Sequence, residues 1–367
     1  MKPKLRFKEF SDEYVLSDLG KYLIQYKKTT NSNNQYPVLT SSRSGIFFQE
    51  DYFNRQVASK DNTGYNIVPR NYFTYRHMSD DTIFSFNINT LCDYGIVSTL
   101  YPVFTTNTEM NSNYLKEYLN NSKRFSEYCL LQKQGGSRTY MYFDKLKKFV
   151  GCFPSIQEQT KVSNFLSLID KKIDLQSKKI EDLKLFKKGL SNNIFNNLKD
   201  FEEYKLGDLC NITTGKLDAN AMVENGKYRF YTCAKEYSFI DEYSFDTEAL
   251  LISGNGAYVG YIHYYNGKFN AYQRTYVLDQ FSQNIQFIKC YLDENLSRRI
   301  KSEKKEGNTP YIVLSTLSDM IIKVPSKENQ KNISNIINYH QRKILLEENK
   351  LQKLQELKKG LMQKMFV

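Results

Sequence analysis

The sequence predicts an α/β (α+β) protein: two globular segments combined with two long helices in a pseudo-two-fold internal repeat. Three observations predict it. Residues 154–195 (PSIQEQTKVSNFLSLIDKKIDLQSKKIEDLKLFKKGLSNNIF) return without a gap as residues 325–366 (PSKENQKNISNIINYHQRKILLEENKLQKLQELKKGLMQKMF), an offset of 171. Both copies space their apolar residues alternately by four and three. The stretches before each copy are short runs of β-forming residues, alike near the helices and unlike in the middle. A fixed period this long signals duplicated modules.

Each helical copy opens on Pro-Ser, with Gln159 and Gln330 at the same depth, a start signal for a helix. The first seam is Val162, Leu166, Ile169, Ile173, Ile180, Leu183, Leu190 and Ile194, interrupted by Gln176 and Lys187. The second contains Ile333, Ile337, His340, Ile344, Glu347, Leu351, Leu354, Lys358, Leu361 and Met365. A seam of period 3.5 needs a partner helix. Because both seams turn polar at the same depth (Gln176 and Glu347, Lys187 and Lys358), the two helices are expected to pack on each other within one chain, with those residues side by side. Residues 162–194 would span roughly 48 Å at about 1.5 Å per residue. The competing reading is a coiled coil that serves only to dimerise or assemble partners.

The expected organisation is a globular domain over 1–153, a helical spacer over 154–200, a second globular domain over 201–324 and a second spacer over 325–367. In the first domain, 67–68, 72–75, 83–86 and 96–104 read as strands, and 114–131 as one helix. Tyr14-Val-Leu-Ser-Asp-Leu19 returns as Tyr204-Lys-Leu-Gly-Asp-Leu209, an offset of 190. In the second domain, 249–260 reads as a buried strand turning into a glycine-rich loop, and 289–305 as a basic helix.

With 40 % hydrophobic and 25 % charged residues the chain is globular rather than disordered. A net charge of +12 favours a polyanionic partner, most simply nucleic acid. General lysine richness from an AT-rich genome would produce the same charge without function. No apolar run approaches 18 residues and MKPKLRFKEF lacks a signal core, so neither a membrane span nor secretion is expected, and the location is cytoplasmic. The six cysteines form no C-x-x-C pair, which predicts reduced, buried thiols and no zinc.

No catalytic constellation is found. Gly254, Gly256 and Gly260 miss the dinucleotide spacing and instead suggest a turn that brings backbone close to a ligand. No phosphate-binding G-x-x-x-x-G-K-[ST] occurs, and no Asp/Asn-Pro-Pro-aromatic motif. His77, His263 and His340 lie far apart, with His340 on a helix seam.

The framework resembles a known family. Pro-Ser-Ile-Gln-Glu-Gln-Thr-Lys at 154–161 resembles the start of the conserved regions of type I restriction–modification specificity subunits. Tyr204-Lys-Leu-Gly-Asp-Leu-Cys-Asn-Ile-Thr-Thr-Gly-Lys216 resembles the opening of their target recognition domains, and Gly307-Asn-Thr-Pro-Tyr311 with Leu317 the close. The chain departs from the pattern at Tyr14 and Tyr204, where Trp is common, and in Lys-Glu-Asn-Gln at 327–330. The resemblance implies two target recognition domains separated by antiparallel coiled-coil helices, each domain reading half of a bipartite, gapped site in double-stranded DNA. It implies two modification subunits and restriction subunits as partners, with S-adenosylmethionine, ATP and Mg2+ on those partners and no cofactor, metal or catalytic residue here. The rival is a coiled-coil scaffold with only non-specific DNA affinity.

Base reading needs Arg, Lys, Asn, Gln or Ser at groove edges. The candidates are Ser41, Ser42 and Arg43 in the first domain, and Lys235, Asn255, Tyr258, Gln273 and Arg274 in the second. Lys133, Arg138, Lys304 and Lys305 flank glycine-rich turns and are the candidates for phosphate contact.

Overall fold

In a computed structural model of the chain, residues 3–52, 60–133, 137–303 and 311–366 are described. They belong to two compact units, Met1–Gln176 with Lys350–Val367, and Ser177–Asn349. The two long helices, Ile156–Asn196 and Lys327–Met365, each contribute to both.

Both helices begin the same way. The hydroxyl of Ser155 accepts from the Glu158 amide at 3.4 Å, and that of Ser326 from the Asn329 amide at 3.3 Å, taking up a donor that the first turn leaves free. The expected seam is buried or half-buried throughout. In the first unit Val162, Leu166 and Ile169, at the start of the first helix, share a core with Met362, Met365 and Phe366 at the end of the second; Ile173 and Leu361 pack beside them. In the second unit Phe195 and Ile194, at the end of the first helix, share a core with Ile337 and Ile333 at the start of the second. Start meets end in each unit, so the pairing is antiparallel.

Antiparallel pairing, as the family resemblance implied, corrects the side-by-side placement expected of the polar seam residues. Residues at equal depth are not partners: Lys358 reaches Asp170 at 2.6 Å, while Lys187 donates to Gln341 at 2.7 Å, each within its own unit. The seam ends also do more than join helices, because they plug into the globular cores. Phe366 packs edge-on to Tyr114 and Tyr118 (ring centroids 5.7 and 5.8 Å). Phe195 does the same to Phe287 and Tyr291 (6.1 and 5.3 Å).

A two-stranded antiparallel ribbon precedes each helix: Val15–Asp18 with Val150–Phe153, and Phe201–Lys205 with Ile321–Pro325. The Leu19 amide donates to Phe149, and that of Leu206 to Met320. Gly20 lies against Lys147 as Gly207 lies against Ser318. Leu19-Gly20 is thus the counterpart of Leu206-Gly207, an offset of 187 rather than 190. The Tyr14/Tyr204 match was an accident of composition: Tyr14 is buried and donates to Glu158, whereas Tyr204 bonds Glu202 at the surface.

The middles differ, as expected. The first unit has a four-stranded antiparallel sheet in the order Leu23–Gln25, Val103–Thr106, Phe73–Thr74, Asn87–Ile88. Residues 83–86 are not a strand, and 96–104 is two strands with a turn between. The segment 114–131 is two helices, Ser112–Asn121 and Lys123–Leu131, because Ser122 turns extended and its hydroxyl caps the Phe125 amide. The second unit has a six-stranded sheet ordered Asn211–Thr214, Thr275–Asp279, Phe245–Ser253, Ile262–Ala271, Tyr228–Tyr231, Ser238–Ile240. Only Tyr228–Tyr231 and Ile262–Ala271 run parallel among these pairs. Leu250 and Ile252 pack on the helix Ile285–Glu303, while Ala249 and Leu251, on the opposite face, join Tyr231, Phe269 and Val277.

Among the described residues no helix is long and apolar enough to cross a membrane, and no cluster of His, Cys, Asp and Glu could hold a metal ion. The six cysteines are free; Cys129, Cys152 and Cys290 are buried, but Cys92, Cys210 and Cys233 are only half-buried.

Candidate nucleic-acid interface

In the second unit the loops at 217–218, 233–235 and 254–258 converge on the turn at 272–274, and residues 311–312 join them through Gly254 and Asn255. The Arg274 carbonyl accepts from the Gly254 amide (2.9 Å) and the Cys233 thiol (3.3 Å). The Gln273 amide donates to Leu217, the Tyr272 amide to Tyr231, and the Ile312 amide to Gly254 (2.7 Å). Asn255 is bridged to Tyr311. Lys235 places its ammonium 5.4 Å from the ring centroid of the exposed Tyr258, within cation–π range. The His263 ring shares a 2.9 Å hydrogen bond with the Ala234 carbonyl, and burial holds its pKa below the ordinary imidazole value. The structure therefore brings together Lys235, Asn255, Tyr258, Gln273 and Arg274, which are spread over residues 235–274 of the sequence. Gln273 is partly engaged, since its amide nitrogen donates to Asp218 at 2.6 Å.

The glycines of this region are turn residues. A Cβ on Gly254 would stand 2.4 Å from the Arg274 carbonyl oxygen. Gly256 and Gly260 both have φ +80°, a left-handed backbone that side chains resist.

In the first unit Ser42 and Arg43 sit at the tip of the hairpin Leu39–Ser42/Gly45–Phe48. Arg43 pairs with Asp81 at 2.6 Å and Arg138 with the neighbouring Asp80 at 3.1 Å. A proposed base reader and a proposed phosphate contact are thus drawn together by consecutive aspartates. The Arg43 guanidinium, then the Ser79 hydroxyl, hold the Asp81 carboxyl below the usual range. Ser41 is withdrawn as a reader: it is 8 % exposed, donates to the Thr74 carbonyl and accepts from Asn87. Ser42 is half-buried and bonds the Gly45 carbonyl inside its own turn. Lys133 is exposed just beyond the helix Lys123–Leu131. Lys304 and Lys305 lie outside the described residues.

Residue-type reasoning missed the aromatic setting. Arg229 lies 4.3 Å from the Tyr237 ring centroid and 4.5 Å from that of Tyr265; Lys268 lies 4.5 Å from that of Tyr243. The alternation in Tyr228-Arg-Phe-Tyr231 puts Arg229 and Tyr231 on one face of a strand, the one signal available in the sequence.

The duplicated hinge between domain and helix is the clearest common geometry. Gln159 donates to the Pro154 carbonyl at 2.9 Å and accepts from the Asn111 amide at 2.9 Å. Gln330 donates to Pro325 at 2.9 Å and accepts from Asn284 at 3.0 Å. Asn111 and Asn284 in turn cap the helices Ser112–Asn121 and Ile285–Glu303. Despite the departure at 327–330, the second copy keeps this clamp. It lacks the other: Glu158 takes both forks of Arg6 (2.8 and 2.7 Å), and Asn329 stands in its place.

A twice-used frame of ribbon, capped helix and glutamine clamp, carrying two unlike sheets, defines a two-repeat modular protein. Residues 198–356 match the family described as the type I restriction modification DNA specificity domain. The type I restriction enzyme EcoDI specificity subunit of Escherichia coli is 39 % identical over 135 residues, 37 % of this chain and 30 % of that one. The type I restriction enzyme MpnII specificity subunit of Mycoplasma pneumoniae is 28 % identical over 146 residues, 37 % of this chain and 43 % of that one. The sequence matches thus span less than half the length of these relatives. Among solved structures, the S subunit of a type I restriction–modification system from M. genitalium is similar in fold over 100 % of this chain and 99 % of its own, with TM-score 0.63 and 17 % identity. A chain from a study of complex assembly and conformational transition in the type I R-M system has TM-score 0.60 at 12 % identity, over 96 % of this chain and 97 % of its own. Residues 198–356 thus carry the type I specificity domain, and the chain over its whole length has the fold of the solved S subunits.

Proposed function

We propose that this chain is the non-catalytic DNA reader of a type I restriction–modification complex in the cytoplasm. Each unit reads one half of a bipartite, gapped site in double-stranded DNA, and the lengths of the two helices set the gap. Two modification subunits bring S-adenosylmethionine and methylate adenine; restriction subunits bring ATP- and Mg2+-dependent cleavage. The observation that carries the reading is the duplicated frame around unlike sheets, since a protein that reads two different half-sites needs a common scaffold and two different surfaces. The net charge of +12 fits a polyanionic partner. Two weak readers joined in one chain also gain affinity from effective concentration.

Methylome sequencing of the host with and without the gene tests this. Loss of one bipartite adenine-methylation motif is expected; an unchanged methylome would refute it. Removal of one heptad from each helix is expected to shift the gap and keep both half-sites, because contacts on one duplex must stay in helical register. A scaffold would show no sequence preference at all.

A further inference from the structure

We infer that Arg229 is a guanine-reading residue of the second unit; this rests on the DNA-reading function proposed above and names a base for it. Several arginines of the chain answer to carboxylates: Arg43 to Asp81, Arg70 to Asp93, Arg138 to Asp80, Arg298 to Glu294. Arg229 does not. Its guanidinium carbon lies over the rings of both Tyr237 and Tyr265, 4.3 and 4.5 Å from their centroids. Among the described residues its one hydrogen-bond partner is the Tyr231 hydroxyl, at a long 3.4 Å.

This arrangement has a chemical consequence. Cation–π contact with the two rings engages the guanidinium without consuming its N–H donors, and among the described residues all but one of those donors meet no protein acceptor. The group is held still without being neutralised, so little side-chain freedom remains to be lost on binding. A fixed planar fork of donors matches the paired O6 and N7 acceptors that only guanine presents in the major groove. Tyr237 is 37 % exposed, so the stack opens to solvent, and it stands two residues from Lys235 in the convergent loops. A purely structural arginine would be expected to satisfy its donors with carbonyls or carboxylates; among the described residues this one meets neither, only the Tyr231 hydroxyl.

The test uses the full chain in complex with the modification subunits co-purified from its host, and a duplex library with a random core. The wild-type complex is expected to select a two-part motif. Arg229→Lys, which keeps the charge and loses the fork, and Arg229→Ala are expected to lose a guanine at one position of one half only. Both should bind the selected duplex about ten-fold or more weakly, with unchanged affinity for a random duplex of equal length. Replacing that guanine by 7-deazaguanine should weaken the wild type and leave Arg229→Ala unaffected. An unchanged motif in Arg229→Lys, or equal weakening on all sequences, overturns the inference and leaves the DNA-reading function standing. Failure of the wild type to select any motif overturns both. Thermal melts of the variants report folding; if Arg229→Ala melts early, Arg229→Lys and the 7-deazaguanine substitution decide.

Discussion

The Gly254 amide donates to the carbonyl of Arg274 at 2.9 Å, and this contact ties the glycine-rich loop to the turn that carries the exposed guanidinium. The approach is close because Gly254 has no side chain: a Cβ would sit 2.4 Å from that oxygen. Gly254→Ala is therefore expected to lower stability by about 1–3 kcal/mol, the range for overpacking at a tight contact. Chemical denaturation would measure it. An unchanged midpoint would show that loop and turn move apart freely.

The side chain of Arg274, unlike its carbonyl, is exposed. Arg274→Ala is expected to weaken binding by about 1–3 kcal/mol for duplexes with one correct half-site, and to leave the other half-site and random DNA unaffected. Fluorescence anisotropy on duplexes with each half scrambled would separate these cases. Equal loss on random DNA would make Arg274 a phosphate contact.

Gln159 and Gln330 are 2 % and 1 % exposed, and each amide bridges a proline carbonyl to the capping asparagine of a domain helix. Gln159→Leu or Gln330→Leu would leave a buried N–H and carbonyl without partners. A loss of about 2–3 kcal/mol is expected from each, read from urea unfolding. Gln330→Glu is a sharper probe, because it keeps the acceptor for Asn284 and removes the donor to Pro325. At neutral pH its carboxylate would also lie buried against the Pro325 carbonyl and the Gln283 side-chain oxygen, so a loss larger than that of Leu is expected.

The helices, their pairing and the two-unit layout were legible because apolar period and gapless duplication are local properties of the chain. Their antiparallel direction was legible only through the family resemblance: equal-depth polar residues suggested Lys187 beside Lys358, whereas antiparallel packing gives Lys358 to Asp170 and Lys187 to Gln341. The 190 offset failed for a related reason. Six similar letters at 14–19 and 204–209 outweighed the Leu-Gly pair that the fold uses. At the candidate interface, residue type located the second unit's loops but misjudged Ser41, since only tertiary contacts reveal that its hydroxyl is engaged by Thr74 and Asn87. Arg229 was overlooked because its setting comes from Tyr237 and Tyr265 on different strands and loops.

Glu158 is 1 % exposed and is satisfied by both forks of Arg6 and by the Tyr14 hydroxyl at 2.9 Å, so the amino-terminal segment is fastened to the start of the first helix. Arg6→Ala would leave a buried carboxylate without its cation and is expected to cost about 3 kcal/mol. Tyr14→Phe removes one hydrogen bond, about 1 kcal/mol at neutral pH. Burial, then the hydrogen bond to Glu158, raises the Tyr14 pKa above that of a free phenol. The folded chain thus holds this proton to higher pH than the unfolded chain, whose tyrosines ionise near about pH 10. The contribution of Tyr14 is present in full below about pH 10 and declines as pH rises above it. Urea unfolding between about pH 8 and 11 should therefore show a steeper alkaline loss for the wild type than for Tyr14→Phe. Parallel curves would mean that the Tyr14 phenol ionises with equal ease in both states, and that its contact with Glu158 does not persist in solution.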